Sequence, residues 1–349
     1  MRIIMRTAMS SSNQGIFSTP IINWGYLAIL PFFAIATGLF VYNNPSSFDL
    51  VLTLDLWLLG YHHLISTFSR IAFDKKSMKE NWFYLIPLPL MVLAAILGLY
   101  YFKGAIIIAT VYIYWQWYHY SRQSEGVSKA YGMKSQNKML INHKLNRLVF
   151  YTTPLVCFLW MVSRDNNTFL GMTFLHIYIP EMLRNTLLIF SLGLTILWLI
   201  NAVKWLVNKQ ITLYYFVYML GHFSIYYVSY ILIDNLTIGW LTINIWHNVQ
   251  YIGIVWLFNR NKYKAGVEKE HFLISYLSQP NKIFMYMLVF LLLTFTFYGG
   301  INKLIYSFPS GLSGLPLVLI VYATLNFHHY IIDSQIWKLR KKAVSQNLC

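Results

Sequence analysis

Apolar runs about twenty residues long recur from one end of this chain to the other, and no other feature limits its fold as severely. A helix rises about 1.5 Å per residue, so about 20 apolar residues cross a bilayer's hydrocarbon core. Runs of this kind fall at 23–42, 50–69, 82–101, 104–121, 147–163, 186–206, 211–233, 237–258, 283–300 and 312–337. The fifth is short and the last is overlong. Only 11% of the residues are charged against 57% apolar, too few charges to cover a soluble globule of 349 residues. The expected fold is therefore all-α: a polytopic membrane helix bundle of about ten transmembrane helices, with N and C termini cytoplasmic.

The basic residues test this count independently. With ten spans and the N-terminus inside, all but four of the 27 Lys and Arg fall on the inner side; the exceptions are Lys103, Arg164, Arg184 and Lys303. Insertion retains basic residues in the cytoplasm, so the asymmetry supports both the number and the orientation. It also accounts for the net charge of +16 through anionic lipid rather than nucleic acid. Residues 1–22 read as a cytoplasmic segment without a cleavable signal, 23–337 as a single membrane domain, and 338–349 as a basic cytoplasmic tail. The expected location is the bacterial cytoplasmic membrane. Cys157 and Cys349 offer neither a disulfide framework nor a thiolate site. Asn166 and Asn235 each open an Asn-x-Thr triplet in an expected outer loop. Pro31, Pro87, Pro89, Pro154 and Pro316 are expected to kink their spans, and the basic stretch 122–146 suits a short amphipathic surface helix.

Seven of the ten histidines lie within the expected spans: His62, His63, His119, His222, His247, His328 and His329. Counted along the helices, they stand roughly 5 to 18 Å from the nearest basic or polar boundary on the inner side. Five helices running in both directions thus carry histidine into one layer. A lone intramembrane histidine is more often a hydrogen-bonded packing residue, but scattered packing residues have no reason to share a depth. Ionisable groups in the hydrocarbon region face the bundle interior and take partners, and neutral imidazole is the commonest metal ligand. A histidine-rich metal site is expected, holding one or two ions because adjacent pairs point about 100° apart.

The flanking residues suit such a site. His62, Ser66, Arg70 and Asp74 form one helical stripe, with Asp55 two turns before His62 on the same face. In the last span Asn326, His329 and Asp333 share a face. Asp55, Asp333, Asn326 and Gln250 are the expected supports, since a carboxylate or amide beside a ligand imidazole can orient its ring. Arg70 and Arg122 are positioned to meet an anionic head group, the plain alternative being interfacial solvation. His143 and His271 fall in polar loops.

This pattern resembles the membrane non-haem iron oxygenases, and within them the bacterial retinal-forming carotene dioxygenases, which carry single histidines on several helices. HHYIID in the last span is the segment most similar to that family's last histidine motif. No Pro-His-Gly stands near the start, where YHHLIST takes its place, and the HxxxH and HxxHH boxes of desaturases and alkane hydroxylases are absent. The resemblance implies an iron enzyme using dioxygen on a membrane lipid or other apolar substrate. The sequence contains no recognisable dinucleotide loop or cysteine cluster, so reducing equivalents, where needed, are expected from a separate electron donor. Two other functions compete: a bis-histidine haem b electron-transfer protein, pairing His222 with His62 or His329, and a metal or proton transporter. An accessory subunit without chemistry of its own is the bland alternative.

Overall fold

A computed structural model describes residues 15–164, 168–307 and 316–348. Among these the chain is helical throughout, with no strand beyond an isolated bridge between Phe169 and Met172. The main helices are α1 (Pro20–Asn43), α2 (Phe48–Asp55), α3 (Tyr61–Ile71), α4 (Pro87–Lys103), α5 (Ala105–Gly132), α6 (Lys144–Val162), α7 (Glu181–Val207), α8 (Leu213–Tyr227), α9 (Leu236–Lys262), α10 (Ile283–Ser307), α11 (Leu317–Ile336) and α12 (Lys342–Leu348).

Among the described residues, five stretches are long and apolar enough to cross a membrane: Pro20–Asn43, Trp82–Lys103, Lys144–Val162, Glu181–Val207 and Pro280–Ser307. None of them carries a histidine. All seven histidines of the expected layer lie on α3, α5, α8, α9 and α11, whose apolar runs are diluted by polar residues. The bundle thus contains two kinds of helix, one suited to lipid and one suited to building an interior.

At the centre stands α9, buried on almost every face and touching α1, α3, α5, α8 and α12. Two glycines permit its close contacts. A Cβ at Gly38 of α1 would collide with the Thr242 hydroxyl, and one at Gly239 would collide with the Ser229 carbonyl. Without side chains there, the backbones approach as small-residue interfaces do in membranes.

Proline acts less often as a kink than the sequence suggests. Pro87 opens α4 and Pro316 caps α11, positions where the missing N–H costs nothing. Pro154 does lie inside α6, and Pro31 comes just after a π turn at Gly25–Ile29. The stretch 122–132 forms no separate surface helix, because α5 continues unbroken to Gly132. The basic tail folds into α12, which packs on α9 with Val344 and Leu348 buried. Asn235 caps α9 by accepting from Ile238 N; the triplet at Asn166 lies outside the described residues.

Candidate metal centre

A second π turn, Leu56–Gly60, separates α2 from α3. The extra residue in such a turn shifts the phase of the downstream helix by about 100°. Asp55 therefore shares a face with His63 and Thr67 rather than with His62. That face meets α9: Asp55 accepts from Asn244 at 2.5 Å and from Asn248 at 3.4 Å, and the His63 ring stacks on Tyr251 with centroids 4.0 Å apart.

Four side chains from three helices converge there. Ligand atoms of His63, His119, His329 and Asp333 all lie within 4.8 Å of one another, and all four residues are buried. An ion held at about 2.1 Å from each of these atoms would need them drawn somewhat closer together. His247 joins the group from α9, its ring centroid 4.8 Å from that of His63 and 5.0 Å from that of His119.

Hydrogen bonds assign the tautomer of His329. The Trp337 indole N–H donates to Tyr251 Oη at 3.1 Å, and the Tyr251 hydroxyl donates to Asp333 Oδ1 at 2.7 Å. With its own proton committed, Tyr251 accepts from Thr67 at 2.8 Å. Thr67 Oγ1 then accepts from His329 Nδ1 at 3.0 Å. This leaves His329 Nε2 unprotonated, accepting from His63 Nε2 at 2.7 Å and standing 3.4 Å from Asp333 Oδ2. His119 Nε2 is buried with no hydrogen-bond partner. Three imidazoles and a carboxylate suit iron or zinc, and a bound cation would supply counter-charge for the buried Asp333.

A parallel chain of donors runs to Asp55. Gln116 Nε2 donates to Tyr120 at 2.5 Å, Tyr120 to Asn244 Oδ1 at 2.5 Å, and Asn244 to Asp55. The Tyr120 ring lies against His247, centroids 4.0 Å apart. Asp55 therefore braces the cluster through Tyr120 and His247 rather than touching a ligand. A cavity of about 600 Å³ opens beside them, reached by His63, His247 and His329 and walled by Tyr61, Tyr112, Phe169, Trp240 and Tyr322.

The other sequence-derived candidates lie elsewhere. His62 faces Phe290 of α10, with Nε2 unpartnered. His222 is held at both nitrogens, by Ser124 at 2.9 Å and the Phe150 carbonyl at 3.1 Å. His328 bonds the Tyr84 carbonyl at 2.6 Å. Gln250 donates to Tyr218, and Asn326 donates to Tyr322 O in its own helix while lining the cavity. Arg70 stacks over Phe258 and Trp337, 3.5 and 4.7 Å from their centroids. Arg122 donates to Glu125 at 2.6 Å and to Tyr151 at 3.2 Å. Asp74 has left the helical stripe to cap Lys75–Glu80. Burial raises its carboxyl, but two hydrogen bonds from Ser77 and the neighbouring His271 outweigh that and hold it below the usual carboxylate range. His143 caps α6.

Sequence reasoning misses Tyr120, next to His119, and two further site residues, Thr67 and Trp337. The latter two each stand four positions after a cluster residue, Thr67 after His63 and Trp337 after Asp333, a spacing that marks the same helix face. No family model, no curated protein and no solved structure matches the chain.

Proposed function

We propose that the chain is a membrane-embedded oxidative enzyme in which non-haem iron, held by His63, His119, His329 and Asp333, acts with dioxygen on a lipophilic substrate. The observation that carries this reading is the His329 Nε2 lone pair, fixed by the Thr67–Tyr251–Asp333 chain and aimed at His63 Nε2 and Asp333 Oδ2. Iron supplies the means to activate dioxygen; the protein supplies ligands, orientation and dryness. Tyr251 and Thr67 hold the His329 tautomer, and Tyr120 holds His247. The aromatic walls of the 600 Å³ cavity, with amides such as Asn244 and Asn326 among them, suit a largely apolar molecule beside the cluster. No Lys, Arg, Asp or Glu lines that cavity among the described residues, which favours a neutral substrate.

A bis-histidine haem is less well supported. His222 already has both nitrogens bonded, and two axial nitrogens stand about 4 Å apart, whereas those of His63 and His329 are 2.7 Å apart. A transport path has less support too, because the clustered histidines form a compact centre rather than a file. The ten-span topology and the cytoplasmic termini, supported by the basic loops, belong to the same proposal, as does a separate electron donor. Metal analysis with a visible spectrum on detergent-purified protein tests it. One or two irons per chain without a Soret band is the expected result. Metal-free protein that also fails to bind added Fe(II) would overturn it.

A further inference from the structure

A second cavity, of about 450 Å³, lies end to end with the aromatic one. Along α5 the first is lined from Ala109 to Tyr120 and the second from Trp115 to Ala130. Along α11 the first runs from Val318 to Tyr330, and the second continues from Tyr330 to Trp337 and on to Leu339. The histidine cluster stands where they meet: His63, His247 and His329 face the first, His119 and Asp333 the second.

Their chemistry differs. The second cavity has an apolar interior of residues such as Trp115, Ile254 and Ile331, and two cations, Arg122 and Lys338, also line it. Arg122 uses only Nη1 for Glu125 and Tyr151, leaving other donors of its fork available. Glu125 is shared with Lys129 at 2.7 Å, so the local charge around Arg122 remains positive. Asp333, at the inner end beside His119, would repel an anion there and direct it toward the cations.

Gly126 also borders this space, where a larger side chain would project into it. It lies inside α5, where glycine is disfavoured relative to alanine. A Cβ at Gly126 would meet nothing within 4 Å, so no close backbone approach calls for a glycine. The missing side chain instead enlarges the cavity that Gly126 lines.

We propose that this second cavity binds a single-chain anionic amphiphile, its carboxylate or phosphate at Arg122 and Lys338 and its apolar chain directed toward His119. The inference rests on the function above only for what the chain end would meet; binding itself needs no metal. The test uses metal-stripped, full-length protein in nanodiscs of neutral lipid, titrated with laurate, dodecanol and acetate. Laurate is expected to bind saturably, with dodecanol weaker by on the order of tenfold, since a charged partner roughly doubles the strength of a hydrogen bond, and acetate weaker still because it lacks the apolar chain. Arg122→Gln with Lys338→Gln should weaken laurate by a similar factor, and Gly126→Leu should abolish binding by filling the space. Lys338→Gln alone keeps the test decisive if the other variants fail to fold, and should weaken laurate severalfold. Equal binding of dodecanol and laurate, or full laurate affinity in the variants that fold, would overturn the proposal. Competition by a single-chain lysophosphatidylglycerol would identify the anion as a lipid phosphate, and lack of competition as a free carboxylate. Iron loading measured on the same preparations separates this outcome from that of the oxidative reading.

Discussion

The helices α7 and α9 are each 27 residues long, yet they are opposite kinds of object. In α7 only Ser191, Trp198 and Ala202 are buried; in α9 nearly every residue is, including Asn244, His247, Asn248, Gln250 and Asn259. The first meets its surroundings with Leu and Ile, which need no partner. The second can carry amides and an imidazole because its neighbours answer them: Asp55 for Asn244, Tyr218 for Gln250, Ser69 and Tyr286 for Asn259. Hydropathy finds the helix that carries no cluster residue, and the polar interruptions that lower hydropathy mark the helices that build the cluster.

Substitutions can break this contrast. The largest effect is expected from His329→Ala, which should remove bound metal altogether while His222→Ala leaves metal content intact. Retention of metal in His329→Ala would sink the assignment. Glycines come next. Gly239→Ala on α9 should destabilise by several kcal/mol through collision with Ser229, whereas Gly193→Ala on α7, whose Cβ would meet nothing, should be neutral or stabilise by up to about 1 kcal/mol. Thermal unfolding in detergent would show whether the two diverge. Ile196 on α7 is 57% exposed, so Ile196→Lys should disfavour membrane insertion by about 3 kcal/mol, read in an insertion assay.

Tyr251→Phe sharpens the comparison by removing one oxygen from the buried side. Thr67, Asp333 and Trp337 would lose a shared partner, and metal affinity should fall about 10- to 100-fold with little change in fold. The smallest effect is at Asp74. Its depressed carboxyl contributes stability that is present above the unfolded value near pH 4 and is lost as pH falls through the lower folded value. Asp74→Asn should cost about 1 kcal/mol or less and flatten that acid limb in pH-dependent unfolding.

The all-helical fold and the polar character of the interior were legible in the sequence, because apolar runs and intramembrane histidines are local signals. Which histidines meet was not. His62 and His63 are adjacent and chemically identical, and a regular helix would align Asp55 with His62; the π turn at Leu56–Gly60 aligns it with His63. His222 and His328 share the expected depth with the cluster. Depth, however, says nothing about rotation, and their rings turn to Ser124 and to the Tyr84 carbonyl. Asp333 was legible as a neighbour of His329 one turn away, but that its carboxylate would stand among the ligand atoms depends on how α11 faces α3 and α5.

The turn at Leu56–Gly60 also gives the chain a spare residue. Because that turn holds one residue more than the helix needs, deleting one there would restore regular winding with Asp55 and His63 still on their present faces. The same deletion between His63 and Thr67 would swing Thr67 away from His329 and Tyr251. Length variation in this helix is therefore tolerable at one point, and a shortened chain that keeps its metal would have lost its residue there.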